Sequence, residues 1–291
     1  VEHYFRQPNY WRVEGRLFFS VFQATRFVEQ LGGPQETRKL LEKMDDRLRQ
    51  AGLTPMHWNG MVADLKAAAM LEAAGFQSTS RYNVHTAGKV GPDLTEQYED
   101  VMQAHREHWQ RMTAAPLVNL PVVTTGWDAT PRCAPDVPWP FPVAPKSGRH
   151  EYPYGPVVVG NTPARFEQLL RDAAQHVQRD PQRPFAVLIN AWNEWTEGCY
   201  LLPEERTGTA YLEAIRRFLS SSPARAARAG SSTMGWAGTL LYWAATKSGP
   251  EGWLSRLRSD GGISILWRRP VISEQPFAWL PEMVRTTKPS G

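Results

Sequence analysis

Two cysteines in 291 residues, Cys133 and Cys199, are too few for a disulfide framework and lack the paired spacing of a zinc site. They are expected to be free thiols of a reduced compartment, brought near one another by the fold. No apolar run is long enough to cross a bilayer, the longest lying near Trp236 to Ala245. No export signal opens the chain, which begins Val1-Glu2-His3 without an initiator Met. The expectation is a cytoplasmic protein with no integral membrane segment, or a periplasmic or secreted one if a preceding segment carried a signal. Also absent are a phosphate-binding loop, a Ser/His/Asp arrangement and an Asp-x-Asp pair. Neither a cofactor nor a metal is expected, and the oligomeric state is left open.

Charge of one sign is scarce as well. The net charge is +4, but residues 223–291 hold nine Lys/Arg against four Asp/Glu, leaving 24 against 25 in the remainder. The basic balance belongs to the tail, so nucleic acid is not an expected partner. What the chain does have is tryptophan, twelve residues of it, which with ordinary hydrophobicity fits a globular, carbohydrate-handling protein.

Read for period, the body alternates strands and helices. Strands are expected at 17–23, 54–58, 76–82, 118–124 and 185–190. Helices are expected at 34–50, where Pro34 suits a first helical position, and at 62–74, ended by Gly75. Further helices are expected at 94–113, 164–179 and 209–219. A long Pro-rich loop spans 131–156. Five successive strand–helix units, with chemically rich residues at strand ends, point to α/β architecture of the (β/α)8 TIM-barrel type. Residues 223–291 show no such period and are expected to form an irregular basic tail rather than a native domain.

The richest stretch follows the apolar run Phe185-Ala186-Val187-Leu188-Ile189. It reads Asn190-Ala191-Trp192-Asn193-Glu194-Trp195-Thr196-Glu197-Gly198. Trp stacks on the apolar face of a pyranose, and two carboxyl groups can divide acid and base duties at a glycosidic bond. The plain alternative is that Trp192 and Trp195 are packing residues and that Glu194 and Glu197 are solvated acids. A spacing of three brings both acids to one side only if the backbone turns after Asn193.

The run from Ala191 to Ala214 resembles the signature of the family 99-like glycoside hydrolases. This group includes WbsX-type proteins encoded in bacterial surface-polysaccharide clusters. A second patch, Gly126-Trp127-Asp128-Ala129-Thr130-Pro131-Arg132, resembles that family's G-W-D-N-T-P-R element, with Ala129 in place of the usual Asn. A weaker match lies at Tyr4 to Tyr10 and Val13 to Phe19, where Arg16-Leu17 departs from the family's pattern. The resemblance covers roughly residues 1–220. It implies that 1–222 form a partial barrel lacking the first three strand–helix units, as in a gene fragment, with exposed strand edges.

The resemblance further implies retaining cleavage of an α-mannoside-type or bacterial surface glycan. Glu194 would take the proton from the sugar's 2-hydroxyl, giving a 1,2-anhydro sugar. Glu197 would protonate the leaving oxygen and then activate water. That division needs a polar setting for Glu194 and a drier one for Glu197. Asp128 could bind sugar hydroxyls or simply cap its loop. Trp127 could be a stacking platform or a rim aromatic, and Arg132 could hold Asp128 or a substrate phosphate. Trp192, Asn193 and Trp195 flank the acids. His57, expected to end the second strand, and Tyr154, in the Pro-rich loop, complete the candidate carbohydrate contacts. Arg81-Tyr82-Asn83, ending the third strand, carries the same ambiguity as His57. Two other functions stay open: a transferase or assembly protein of lipopolysaccharide O-antigen or capsule, and an inactive fragment that binds glycan.

Overall fold

The computed structural model describes residues 4–86, 94–132, 156–179 and 186–221, and the backbone of 239–242, 256–257 and 263–264. β1 (Arg12–Val13) and β2 (Arg16–Val21) form an antiparallel hairpin. Its two turn residues, Glu14 and Gly15, both have positive φ (51° and 78°), as a two-residue turn matched to strand twist requires. Two helices follow, α1 (Ala24–Gln30) and α2 (Pro34–Gln50), then β3 (Met56–Met61), α3 (Leu65–Ala73) and β4 (Ser78–Ser80). After β5 (Thr95–Gln97) come α4 (Tyr98–Met112), β6 (Val118–Asn119) and β7 (Val122–Thr124). β8 (Val157–Val159), α5 (Pro163–Gln178) and β9 (Ala186–Asn190) lead to the short hairpin of β10 (Asn193–Glu194) and β11 (Cys199–Tyr200). α6 (Ala210–Ser221) follows.

The result is a mixed α/β fold built on a curled half-barrel sheet. β2, β3, β4 and β6 pair in parallel, as do β7 and β9. Residues 118–124 join the two sets by changing partner at Leu120-Pro121. The Leu120 N–H donates to the Thr79 carbonyl (2.8 Å) and the Leu188 N–H to the Pro121 carbonyl (2.8 Å). Proline has no N–H for a ladder, so the switch falls where the ladder would break anyway.

The helices cover one face of the sheet. Along α2, Thr37, Leu41, Asp45 and Leu48 make its buried stripe. α3 begins at Asp64, whose side chain accepts from the Ala67 N–H (2.9 Å). Val187 and Ile189 share a core with residues of α4, α5 and α6, whereas Ala186 and Leu188 cluster with Val84, Leu120 and Val122. On β3, Gly60 meets the helices so closely that a Cβ there would sit 2.2 Å from Leu71 Cδ1 and 2.9 Å from Ala24 Cβ. His57 and Asn59 point the other way, into a polar ladder. Asn59 Oδ1 accepts from Ser20 and Ser80 (both 2.8 Å), and its Nδ2 donates to Ser78 (2.9 Å).

Several expectations are revised. The second strand runs to Met61 rather than stopping at Trp58, because its inward polar residues belong to the sheet interior. The expected helix start at Leu94 is instead β5, which pairs in parallel with β8. α1 was not foreseen. The two strand edges expected to be bare both carry a neighbour: β1 on β2, and a tail strand, β12 (Thr239–Tyr242), in parallel on β9. A second tail pairing joins β13 (Arg256–Leu257) and β14 (Ile263–Ser264). Among the described residues no helix is long and apolar enough to cross a membrane.

Candidate active site

The site forms where β4, β7 and β9 end. The chain leaves β9 through a cis Asn190–Ala191 peptide and enters the β10–β11 hairpin. Within it, Trp195–Glu197 make one 3-10 turn, and Gly198 closes the turn in the left-handed region at φ 62°. A strand would send Glu194 and Glu197 to opposite faces. The turn instead gathers both onto one cation.

That cation is Arg132. Its Nη2 lies 2.7 Å from Glu194 Oε1 and its Nη1 2.6 Å from Glu197 Oε1, while Nε donates to Thr196 Oγ1 (2.9 Å). The planar fork spans both acids as a lysine could not. Side-chain exposure is 23% for Arg132, 15% for Glu194 and 10% for Glu197, so water screens the trio little. Glu197 is only slightly the drier of the two, and the difference between the acids lies in their neighbours. The Tyr82 hydroxyl donates to Glu197 Oε2. Burial, then the nearby Cys199 and the hydrogen bond to Glu197, push the Tyr82 phenol far above its usual range. Tyr82 is therefore a protonated donor at any working pH. Burial beside the same two carboxylates raises the Cys199 thiol, making it a poor nucleophile.

Backbone bonds hold the two motifs together. The Asp128 N–H donates to the Glu197 carbonyl (2.7 Å), and the Val158 N–H to the Trp127 carbonyl (2.7 Å). Gly198 lies against this junction: a Cβ there would be 2.7 Å from both Asp128 Cβ and Asp128 N. The Asp128 carboxylate accepts from Thr130 N–H (2.9 Å) and Oγ1 (2.6 Å), the geometry of a loop-capping aspartate. Arg132 thus holds the two glutamates.

Aromatic rings line the rim. Phe22 meets Tyr82 edge-on at 5.3 Å, Tyr82 meets Trp127 at 6.2 Å and Trp127 meets His85 at 5.0 Å. Trp127 is buried, which makes it a wall rather than an open platform. Trp195 is exposed, at 44%, and stacks on Tyr200 at 4.1 Å, and Phe22 is exposed as well. Trp192 packs partly buried against the core, its carbonyl accepting from Leu201 and Leu202. Asn193 pairs with Tyr200 across the hairpin.

His57 does not reach this rim. It lies near the start of β3, buried, with Nε2 2.8 Å from Ser78 Oγ. Burial, and then Arg16, lower it to about 4, so it is neutral and structural. Tyr154 and Cys133 lie outside the described residues.

Sequence reasoning assigned no role to Phe22 or to the pair His85 and Glu96. His85 Nδ1 lies 3.0 Å from Glu96 Oε2, and Thr86 N–H (2.9 Å) and Oγ1 donate to Glu96 Oε1. No short motif marks that pair, since it depends on β5 pairing with β8 some sixty residues away. Tyr82, with Arg81 and Asn83, is an ambiguous strand-end residue in the sequence, and it stands two residues past the end of β4. Among the described residues no group of three or more His, Cys, Asp or Glu converges as metal ligands.

The family model described as Glycosyltransferase WbsX matches residues 1–215. Two proteins described as "Uncharacterized protein WxcX", from Xanthomonas campestris pv. campestris strains B100 and ATCC 33913, are each 28% identical over 234 residues. The match covers 77% of this chain and 30% of theirs, so the chain spans under a third of the length of these relatives. A solved "Glycoside hydrolase-like protein" is 12% identical with a TM-score of 0.48, over 73% of this chain and 56% of its own. The GH99 endo-α-mannosidase from Bacteroides thetaiotaomicron is 14% identical with a TM-score of 0.41, over 72% and 56%.

Proposed function

The chain belongs to the WbsX glycosyltransferase family, and from that premise we propose that it is a glycan-active enzyme of glycoside-hydrolase type, with Glu194 and Glu197 as its reacting pair. One observation carries the reading: a turn and a bridging guanidinium hold two carboxylates together at the ends of parallel strands, inside an aromatic rim. Residues 1–222 are the catalytic unit in this reading, a partial (β/α) barrel, and 223–291 a basic tail that adds the strand β12 beside β9.

The proposed reaction is retaining cleavage of an α-mannoside-type or bacterial surface glycan. Glu194, paired with Arg132, takes the proton of the sugar's 2-hydroxyl. The freed oxygen attacks the anomeric carbon to give a 1,2-anhydro sugar as the leaving oxygen departs. Glu197 supplies the proton to that oxygen and later takes one from the water that attacks the anomeric carbon, while Glu194 returns its proton to the 2-oxygen as the anhydro ring opens. Glu197 must carry its proton when substrate is bound, and Tyr82 on Oε2 and Arg132 on Oε1 fix its orientation for the transfer. Trp195 and Tyr200 offer the exposed face on which a sugar ring can stack.

A second reading, transfer from an activated sugar, has the family's description in its favour. The test measures sugar release from α-mannosides and bacterial surface polysaccharides, and transfer from nucleotide sugars, by the parent chain and its Glu194→Gln and Glu197→Gln variants. Release lost in both variants supports the hydrolase. Transfer without release overturns it in favour of assembly, and binding without either reaction leaves a glycan-binding protein.

A further inference from the structure

We propose that His85 is a substrate-binding residue of this site, hydrogen-bonding a hydroxyl of the bound sugar through Nε2, and that Glu96 is the residue that positions it. The inference rests on the hydrolase-type reading above and adds a contact that the paired acids do not supply.

Glu96 is fully buried on β5, and a carboxylate taken out of water is costly unless donors surround it. It has three: Thr86 N–H and Oγ1 on Oε1, and His85 Nδ1 on Oε2. Anchoring the segment after β4 accounts for the two Thr86 bonds. It does not account for the histidine. Against a buried carboxylate Nδ1 is the donor, which fixes the ring's tautomer and turn, as carboxylate–histidine pairs do in working sites. Nε2 is then on the opposite side of the ring, able to accept from a sugar hydroxyl when neutral or to donate to one when charged.

Position supplies the second half of the argument. The His85 side chain keeps 31% of its surface exposed while Glu96 keeps none, so the pair runs from the interior outward. Its ring stands edge-on to Trp127, 5.0 Å away at 78°. Trp127 in turn meets Tyr82, which donates to Glu197. Imidazole, indole and phenol thus form one wall leading to the acid proposed to serve the leaving oxygen. Sugars present hydroxyls around the ring edge and C–H groups on the face, and this wall offers an imidazole among aromatic surfaces.

Two isosteric changes separate binding from architecture. In His85→Asn the new amide nitrogen can replace Nδ1, which keeps the bond to Glu96 but leaves nothing in place of Nε2. His85→Gln reaches the Nε2 position and gives up the Nδ1 bond. The assay titrates the full chain with the α-mannoside or surface polysaccharide that the parent cleaves, reading KM and kcat, with urea unfolding run in parallel. The expected result for His85→Asn is parental stability with KM raised about 10- to 100-fold, the loss of one buried hydrogen bond to substrate. His85→Gln should recover part of the affinity at lower stability, and Glu96→Gln should raise KM less than His85→Asn does. Parental KM in His85→Asn, with turnover still lost in Glu197→Gln, would overturn the role of His85 and leave the hydrolase reading standing. A parent chain that neither cleaves nor binds any of these glycans would sink both together.

Discussion

Replacing Gly198 by alanine tests whether the two motifs act as one rigid unit. Gly198 holds φ 62°, where a side chain costs about 1 kcal/mol. The added Cβ would stand 2.7 Å from Asp128 Cβ and N, against 3.4–4 Å in ordinary contact. The Trp127-Asp128 turn must therefore retreat by roughly 0.7–1.3 Å, and overpacking of this kind costs about 1–3 kcal/mol. The sum is about 2–4 kcal/mol of stability. Function should suffer as well, because the displaced Asp128 N–H bonds the carbonyl of Glu197 itself. A shift of that size at a reacting group lowers turnover by about 100-fold. Gly208→Ala is the control: φ is 57°, yet nothing lies within 4 Å of the added Cβ, so only the backbone cost of about 1 kcal/mol applies. Urea unfolding and sugar release would be measured for both variants. Equal destabilisation, or parental turnover in Gly198→Ala, would refute the claim that this contact sets the position of Glu197.

Other perturbations have definite outcomes. Arg132→Lys should fold but lose at least about 10-fold in turnover, since an ammonium cannot hold both glutamates as the fork does; parental kinetics would contradict this. Tyr82→Phe should keep substrate affinity and lose about 10- to 100-fold in kcat by leaving Glu197 Oε2 without its phenol, and a change in KM alone would argue against it. His57, lowered from 6.5 to about 4, stays neutral in the folded chain while the unfolded chain takes up a proton. Its contribution is thus fully present above pH 6.5 and lost as pH falls toward 4, amounting to about 2 kcal/mol by pH 5. His105, at about 3, and His108, at about 4, act in the same direction. His57→Gln should flatten the fall in unfolding free energy between pH 8 and pH 5 relative to the parent, and an unchanged slope would rule out His57 as a source of acid lability.

Sequence showed most where many residues repeat one pattern. The helix at 34–50 is α2 to the residue, with Pro34 at its start and a buried stripe at helical spacing. The buried strand before Trp192 was equally plain, since five apolar residues leave little choice. Short elements were hidden. β5 and β8 have three residues each, below the length at which alternation can be read, and Thr95-Glu96-Gln97 is as polar as a helix lead-in. β3 was cut short because His57 and Asn59 read as rim residues, whereas both bond Ser78 across the sheet interior. The two glutamates and Arg132 were visible as residue types. Their convergence was not, because it depends on a three-residue turn and on a loop sixty residues earlier in the chain.

The junction between the motifs has a consequence for how such a site can diverge. Trp127 and Asp128 are tied to Val158 and Glu197 through main-chain groups that every residue except proline carries in full. Position 129, asparagine in the resembling family, is a buried alanine here, and those ties remain. In the proposed reading, glycan preference can therefore be rewritten by exchanging side chains around the rim while Glu194 and Glu197 keep their place. Gly198, where the absence of a side chain is itself the requirement, is closed to that exchange.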